Sequence, residues 1–478
     1  MKKLRLSHRT VIVPVILAAL ISIVAPCQAD DYSANMTNNI HMDSYMDYMS
    51  ACTGSNGTQH IIYSEDSYTL PQDCPVHIFK LMYQYITQGP PRIVSAQIVL
   101  KNWPSYRAVN PAISFGPDGN LHILACRYTE RLILQPPCPS ASEESELWYL
   151  KVQPITGSVL TERTLHVPVV PPGADPAYME HVIWPHIICA GTSEQTEIYV
   201  TWSQHENLGV PVPDWTDDHD IFFQRSLDGG STWLANAVMI TSQTDTTFDE
   251  VQPQLLLDSF TDTLICVYQK ESKSGAYSDE EILNDNPKDI FCQTSTNLGI
   301  NWSAPFPVTF SNQASFGFIS PMIQQDSSGN VYISALKKWS AASSANEIHI
   351  FRYYPGSNQP WRSVFYNPVA NDAAHDGPTR TPYRNPDISC SYPSFKVTGV
   401  NTFTIMYEKC TDGDNIPEAI SYAKRESGVT TTDVVWTDPA RSCRAIVHFD
   451  LTASSVLQPF WAVDDGAGPD IMYGEFQY

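Results

Sequence analysis

The protein has 478 residues, 42% of them hydrophobic, which is enough for a full core and excludes a mainly disordered chain. It carries 51 acidic against 28 basic side chains, for a formal net charge of −23, and this acidic excess argues against nucleic acid as a partner. Thirty-six prolines and an aromatic content of 11% favour a β-rich, loop-rich protein over a helical bundle.

The first 29 residues are typical of a secretory signal peptide. Lysines and arginines near the start precede an apolar run from Val11 to Val24. Cleavage after Ala29 fits the small-x-small rule, whereas the alternative, a lipid anchor on Cys27, is disfavoured by Pro26. No later apolar run approaches the roughly 18 residues that a membrane span needs. We therefore expect an exported protein, secreted, periplasmic or at the cell surface, that has no membrane span.

The cysteines of the mature chain are even in number, which favours disulfide bonds in an exported protein. Three pairs are plausible from the spacing: Cys52 with Cys74, Cys126 with Cys138, and Cys266 with Cys292. The first pair would pin residues 30–75 as an N-terminal extension outside the main domain. A zinc site is disfavoured because the sequence contains no Cys-x-x-Cys pair.

A proline motif recurs along the rest of the chain. In each copy the proline lies between apolar residues, and a polar turn and a strongly β-forming run follow; the prolines are Pro111, Pro185, Pro253, Pro321, Pro393 and Pro459. The intervals of 66 to 74 residues leave room for four strands each. Because radially repeated four-stranded sheets form a β-propeller, we predict an all-β, six-bladed β-propeller over residues 76–478.

The ends of the chain suggest how this propeller closes. The sixth unit stops at Tyr478 after two strands, and the sequence at 77–80 resembles the third strand at 349–352 of the fourth unit. We therefore predict that N-terminal strands at 76–80 and 93–100 complete the last blade, which removes an exposed sheet edge.

A turn motif in the second unit carries a family resemblance. Its positions, Ser226, Asp228, Gly230, Thr232 and Trp233, match S-x-D-x-G-x-T-W, the Asp-box that links third and fourth strands in sialidase-like propellers. A degraded copy occupies 295–302 in the next unit. In such a turn the Asp accepts backbone N–H groups and Gly permits positive φ, so its role is structural. Over roughly residues 76–478 the sequence resembles the sialidase-like Asp-box (BNR repeat) β-propeller superfamily.

The resemblance implies a chemistry. Sialidases of this superfamily have six blades and cleave terminal sialic acid, using a Tyr nucleophile assisted by Glu, an Asp acid/base and three Arg residues that clamp the carboxylate. By this resemblance Arg107 and Arg127 are candidates for two of the clamp residues.

The repeat also indicates which face is functional. The residue four positions before each proline should lie at the mouth of the central channel, and in the first three units it is Arg107, His181 and Asp249. Candidates for acid–base catalysis are therefore Asp249, its neighbour Glu250, and His181. Arg384, on the loop before the fifth motif, joins Arg107 and Arg127 as a candidate for substrate binding. The alternative is that these loop charges are only solvated.

No cofactor is required by this chemistry, although one acidic loop has ligands of the type that Ca²⁺ prefers. The loop carries Asp214, Asp217, Asp218, His219 and Asp220. It lacks EF-hand spacing, and a solvated loop is the favoured interpretation.

The sequence thus predicts an exported carbohydrate-active propeller, of which a sialidase-type glycoside hydrolase acting on terminal sialic acid or a related sugar is the leading form. Its partner would be a glycan or glycoprotein. The alternative is a non-catalytic β-propeller that binds glycans or proteins at the cell surface.

Overall fold

The structure, a computed structural model, describes the following residues: 32–35, 49–69, 76–87, 93–104, 106–129, 145–167, 182–206, 218–241, 248–272, 288–311, 316–339, 347–354, 360–367, 394–409, 419–426, 429–437, 442–451, 456–464 and 469–477.

Within these ranges the regular structure is all β, in seven four-stranded antiparallel sheets. The first strand, β1 (Tyr32–Asn35), belongs to the last sheet. Sheet I contains β2 (Met49–Thr53), β3 (Gln59–Thr69), β4 (Val76–Ile86) and β5 (Ile98–Pro104). Sheet II contains β6 (Tyr106–Phe115), β7 (Leu121–Thr129), β8 (Ser145–Val152) and β9 (Val159–His166). Sheet III contains β10 (Val182–Gly191), β11 (Thr196–Glu206), β12 (Asp218–Ser226) and β13 (Val238–Met239).

The remaining sheets follow in chain order. Sheet IV contains β14 (Phe248–Asp258), β15 (Thr263–Ser272), β16 (Lys288–Ser295) and β17 (Phe306–Pro307). Sheet V contains β18 (Phe316–Gln325), β19 (Val331–Trp339), β20 (Glu347–Tyr353) and β21 (Trp361–Asn367). Sheet VI contains β22 (Ser394–Gly399), β23 (Thr402–Lys409), β24 (Ala419–Glu426) and β25 (Val429–Thr437). Sheet VII contains β26 (Ser442–Leu451), β27 (Val456–Asp464) and β28 (Pro469–Gln477), with β1 as its fourth strand.

The sheets are arranged radially. Their first strands contact one another in the order β2, β6, β10, β14, β18, β22 and β26, and β26 contacts β2. Hydrophobic layers fill the space between neighbouring sheets, as between sheets I and II, where Ile62 and Leu81 pack with Ile123 and Leu150. Radial repetition of four-stranded sheets is the architecture of a β-propeller. The described residues form seven such sheets, so the predicted number of six is wrong.

The repeated proline marks a β-bulge in the first strand of sheets II to V. Pairing with the second strand shifts at each motif, so that two residues oppose one. The residue before the proline has left-handed φ in all four sheets: Asn110 at 46°, Trp184 at 48°, Gln252 at 55° and Ser320 at 56°. A bulge tolerates proline because the extra residue donates no hydrogen bond to the ladder. The motif therefore encodes a bend in the innermost strand.

Two predictions for the chain ends are wrong: the strand that holds the sixth motif, and the segments expected in the last sheet. Pro459 lies on β27, opposite Phe449 of β26, so the sixth motif is in a second strand rather than a first one. Residues 76–80 pair with β3, and residues 98–100 lie in β5, so both segments belong to sheet I. Residues 49–69, expected in an extension outside the blades, supply β2 and β3 of that sheet. The N-terminal strand on sheet VII is β1, which pairs with β28 through Tyr32 opposite Glu475.

The proline motif does not predict sheet I because β2 contains no proline. Another sequence signal relates sheet I to sheet II. The turn at 54–57 and the turn at 116–119 both read Gly-x-x-Gly, and a histidine follows three residues later in each. His60 and His122 make the same contact, with 2.8 Å between Nδ1 and the hydroxyl of Tyr83 or Tyr149 on the third strand. Sheets I and II are therefore built on the same local pattern.

Four cysteines with described side chains are free thiols: Cys52, Cys189, Cys266 and Cys292. The proposed Cys266–Cys292 pair is wrong because the two residues lie on opposite faces of sheet IV. Gln293 is the residue opposite Cys266, so Cys292 faces the other way. Cys74 and Cys138 lie outside the described residues. Among the described residues, no helix could span a bilayer.

Candidate functional site

First strands begin and second strands end at the same edge of each sheet, which we call the entrance edge. Six charged residues share the entrance edge of sheet IV: Asp249, Glu250, Lys270, Glu271, Lys288 and Asp289. They occupy three neighbouring strands, so antiparallel pairing alone brings them together. Their side chains have three different environments.

Asp249 is paired with a histidine of the preceding sheet. Its Oδ1 atom accepts a hydrogen bond from the backbone N–H of His219 at 3.0 Å and lies 3.3 Å from the ring Nδ1 of the same residue. The side chains are 24% and 20% exposed. The indole of Trp184, the bulge residue of sheet III, lies 6.4 Å from the imidazole between ring centroids. This is an accessible carboxylate–imidazole pair beside an aromatic ring, which can accept and donate a proton.

Glu250 forms a buried ion pair. Its Oε1 atom lies 2.9 Å from Nζ of Lys270, and the glutamate is 3% exposed. The ammonium group also lies 4.1 Å from the ring centroid of Phe248, a cation–π contact. Burial of the Tyr268 hydroxyl raises its pKa well above the usual range, and the negative charge of Glu250 adds to this effect. Glu250 is thus held in place rather than presented to a ligand.

A second ion pair lies on the side of sheet V. Lys288 Nζ is 2.9 Å from Oε1 of Glu271, which also accepts a hydrogen bond from the amide of Gln269. Gly317, at the register position of Asp249, lies close to the backbone of Lys288, because a Cβ atom there would lie 3.0 Å from the backbone nitrogen. The glycine therefore allows the start of sheet V to approach β16 closely.

Asp289 and Asp220 have a repeated structural role. Both lie near the start of a third strand, in the sequence Asp-Ile-Phe-x-Gln. Asp289 accepts a hydrogen bond from the Thr309 hydroxyl at 2.7 Å, and Asp220 accepts one from Thr241 at the equivalent position. Burial raises the pKa of Asp289 despite these hydrogen bonds. The repetition in two sheets assigns both carboxylates to the fold.

Arg127 is engaged between sheets I and II. Its guanidinium group donates to Glu146, directly opposite on β8, and lies 4.4 Å from the ring centroid of Trp148. Trp148 in turn contacts Trp103 of sheet I edge-on, with 5.8 Å between centroids. Arg127 and Asp249 are therefore on different sheets, and the structure does not bring them together.

The other predicted site residues are less fully described. The backbone of Arg107 lies in β6 opposite Tyr128, at the entrance edge of sheet II, but its side chain is not among those described. His181 and Arg384 lie outside the described residues, as do Asp214 and Asp217 of the acidic loop. No group of three or more metal-ligating side chains occurs within the described ranges.

The turn whose sequence matches the Asp-box pattern lies at the opposite edge, after β12. Ser226 Oγ accepts from the N–H of Gly230 at 2.9 Å, and the Asp228 carboxylate accepts from the N–H and hydroxyl of Thr232 at 2.7 and 2.6 Å. The Trp233 indole donates to the carbonyl of Gly230 at 3.1 Å. The degraded copy at 295–302 makes the equivalent contacts with Asn297 in place of Asp. These side chains serve the turn and lie away from the charged edge of sheet IV.

Each of the two turns also packs against the preceding sheet. Trp233 packs edge-on against Tyr149, and Trp302 packs the same way against Phe223, at 5.0 and 5.3 Å between centroids. A Cβ atom on Gly230 would lie 2.3 Å from the Tyr149 hydroxyl. The glycine is therefore needed for close approach between sheets as well as for its φ of 88°.

The sequence predicts Asp249 and Glu250 as site residues but not the partners that distinguish them, His219 and Lys270. His219 is predicted only as part of an acidic loop. The repeated third-strand sequence Asp-Ile-Phe-x-Gln is the signal that indicates its position, since it sets the register of β12.

Comparisons with known proteins give remote structural likenesses only. No protein-family model matches the sequence, and no curated protein matches it. A Dyadobacter fermentans protein of unknown function is similar at a TM-score of 0.48 and 10% identity, over 93% of this chain and 98% of that one. A Penicillium chrysogenum α-L-arabinanase is similar at 0.43 and 10%, over 94% and 98%. The Hadza microbial sialidase Hz136 is similar at 0.44 and 11%, over 85% and 74%. At these values the likenesses carry no argument about what this chain does.

Proposed function

We propose that the protein is an exported carbohydrate-active β-propeller that binds a glycan at the entrance edge of sheets III and IV. The observation that carries this proposal is the accessible Asp249–His219 pair beside Trp184. Sugar rings pack their C–H faces on aromatic rings and donate hydroxyl hydrogen bonds to carboxylates, so this combination suits a sugar. Residues 1–29 support export, and the Asp-box sequences support the sialidase-like superfamily.

The proposed reaction is hydrolysis of a terminal glycosidic bond, with Asp249 as the proton-transferring carboxylate. Two hydrogen bonds from His219 to one carboxylate oxygen orient the group, and its partial exposure leaves it accessible to substrate. Glu250 supports this residue from the adjacent position through its ion pair with Lys270 and takes no proton-transfer role.

The charges bear on which sugar is bound. On the described side chains of this edge, both lysines are paired with glutamates, and Arg127 is paired with Glu146. A sialic-acid carboxylate would need cations beyond these, of which Arg107 and Arg384 are the candidates. Of the two predicted substrates, sialic acid or a related sugar, the described residues favour an uncharged related sugar.

One observation favours a second function, a non-catalytic glycan- or protein-binding propeller. Glycoside hydrolysis generally uses two carboxyl groups that flank the scissile bond. Since Glu250 is buried against Lys270, Asp249 is the accessible carboxylate of the catalytic candidates described. A protein that only binds a glycan or a protein would need no second accessible carboxylate.

The test is hydrolysis of a fluorogenic sialoside and of a panel of fluorogenic uncharged glycosides by the protein purified from the exported fraction. We expect turnover of an uncharged glycoside, with kcat lowered at least about a hundredfold in Asp249→Asn, the loss typical of a missing acid–base group. Asp228→Asn in the Asp-box turn is the matched control and should leave kcat of the folded protein unchanged. Full activity of Asp249→Asn would refute the assignment, and binding on a glycan array without turnover would establish the second function.

A further inference from the structure

Trp184 has a backbone conformation that a bulky side chain rarely adopts. It is the residue before the bulge proline of sheet III, and its φ is 48°. The equivalent residues of sheets II, IV and V are all polar: Asn110, Gln252 and Ser320, with φ between 46° and 56°. A left-handed φ is unfavourable for an L-residue, and in a bulky aromatic residue it is an outlier. The bulge therefore accommodates a tryptophan only at a cost in stability.

The hydrophobic layers beside sheet III do not account for this tryptophan. Val182 and Ile187 of the same strand belong to the layer shared with sheet II, and Ile188 packs against the layer shared with sheet IV. Trp184 is a member of neither of these two layers. Its side chain is partly exposed, and its ring lies 6.4 Å from that of His219 between centroids, with 44° between the ring planes. The indole thus lies at the entrance edge, where neither layer needs it.

The residues that follow Trp184 hold its backbone in place. Pro185 comes directly after it, and its ring fixes its own φ within the bend. The imidazole Nδ1 of His186 then accepts a hydrogen bond from the backbone N–H of Leu255 in sheet IV at 3.1 Å. Burial lowers the pKa of His186 to about 4, so the ring is neutral and can accept this bond at neutral pH. Residues held in an unfavourable conformation by fixed surroundings cluster at ligand sites.

We propose that Trp184 is the specificity-determining residue of the site at the entrance edge, an aromatic surface that selects a ligand with a closed sugar ring. One face of such a ring carries C–H groups that can lie flat on the indole, whereas an open-chain alditol has similar hydroxyl groups but no such face. Asp249 and His219 supply polar groups beside this surface. The inference rests on the proposed function for the class of ligand, and it adds the residue that distinguishes a sugar ring from other polyols.

The backbone strain is tested without a ligand. In urea unfolding, Trp184→Gly should have a higher midpoint than Trp184→Ala, because glycine adopts positive φ without a steric cost. The preceding residue, Ile183, has no left-handed φ and is the matched control. There Ile183→Gly should have a lower midpoint than Ile183→Ala, as is usual in a strand. A midpoint for Trp184→Gly at or below that of Trp184→Ala would overturn the claim that Trp184 is held under strain.

The selection of a sugar ring is tested by calorimetric titration with the methyl pyranosides of glucose, galactose, mannose and xylose, each compared with its alditol. The native protein should bind at least one pyranoside at least about fivefold more tightly than the matching alditol. Trp184→Leu keeps an apolar side chain without a ring, and it should lose about fivefold in affinity for that pyranoside, the size of one aromatic contact, and little for the alditol. Trp184→Phe should retain most of the preference.

The outcomes separate this inference from the proposed function. If a pyranoside binds and Trp184→Leu leaves its affinity unchanged, or lowers the affinities for pyranoside and alditol equally, the role of Trp184 is overturned while a glycan site beside Asp249 stands. Equal losses in Trp184→Phe and Trp184→Leu would likewise show that the aromatic ring does not select the ligand. Binding of none of the four pyranosides would contradict both the inference and the proposed function.

Discussion

Replacing Lys270 by methionine should destabilise the protein strongly, because it leaves the Glu250 carboxylate buried without its cation. The two groups are 2.9 Å apart, and their side chains are 14% and 3% exposed. Removing one partner of a buried ion pair costs about 3–5 kcal/mol of the free energy of unfolding. The double variant Glu250→Met/Lys270→Met should recover most of that loss, since replacing both charges of a buried pair by apolar groups is close to neutral. The cost should also be smaller at pH 4 than at pH 7, because a neutral carboxyl group is cheaper to bury.

A matched pair in sheet I supplies the control. Glu65 and Lys80 are also directly opposite on neighbouring strands, 3.1 Å apart, but their side chains are 25% and 27% exposed. Lys80→Met should therefore cost no more than about 1 kcal/mol. The assay is urea unfolding followed by tryptophan fluorescence, compared at the midpoint with a common slope. Equal losses for Lys270→Met and Lys80→Met would refute the argument that Glu250 is held by a buried partner.

Three further predictions concern the fold. Gly230→Ala should lower the free energy of unfolding by about 1–3 kcal/mol more than Gly119→Ala. Both glycines have positive φ, but only at Gly230 would the new methyl group overlap Tyr149. Equal losses in urea unfolding would contradict the close approach of Gly230 to Tyr149. Thiol titration of denatured, unreduced protein should find at least four reactive cysteines, and the native protein should react slowly because burial raises the pKa of Cys189 and Cys292 to about 12. Fewer than four thiols would mean that Cys52, Cys189, Cys266 or Cys292 is oxidised. A mature chain that lacks residues 30–35 should aggregate in light scattering because β28 loses its partner β1, and a monodisperse protein of unchanged melting temperature would show that β1 does not cover that edge.

The innermost strands of sheets II to V could be predicted from the sequence because one proline motif marks their bulges. A bulge constrains the backbone conformation of a few consecutive residues, as the left-handed φ of Asn110 and Gln252 shows. Such a local constraint leaves a short pattern in the sequence. Sheet I has no such constraint on β2, and its similarity to sheet II lies in the Gly-x-x-Gly turn and in His60 and His122. The proline motif therefore predicts six units, whereas the described residues form seven sheets.

The site was predicted to the level of strand and edge but not to the level of side-chain partners. Asp249 and Glu250 are adjacent in sequence. The contact of β14 with β12 of the preceding sheet shows that Asp249 meets a histidine, and its register with β15 shows that Glu250 meets a buried lysine. The same limit explains the wrong Cys266–Cys292 pair, since a shift of one residue moves a side chain to the other face of a strand. Arg127 matches a family position, yet its guanidinium group forms an ion pair with Glu146, which lies directly opposite on β8.

The central claim, that a glycan binds beside Asp249, is tested most directly by a crystal structure of the protein with the glycan that binds best on an array. The account predicts that a sugar hydroxyl or the glycosidic oxygen lies within hydrogen-bond distance of the Asp249 carboxylate, with a sugar ring against Trp184. A glycan seated elsewhere, with the Asp249–His219 hydrogen bonds unchanged and solvent around them, would contradict it.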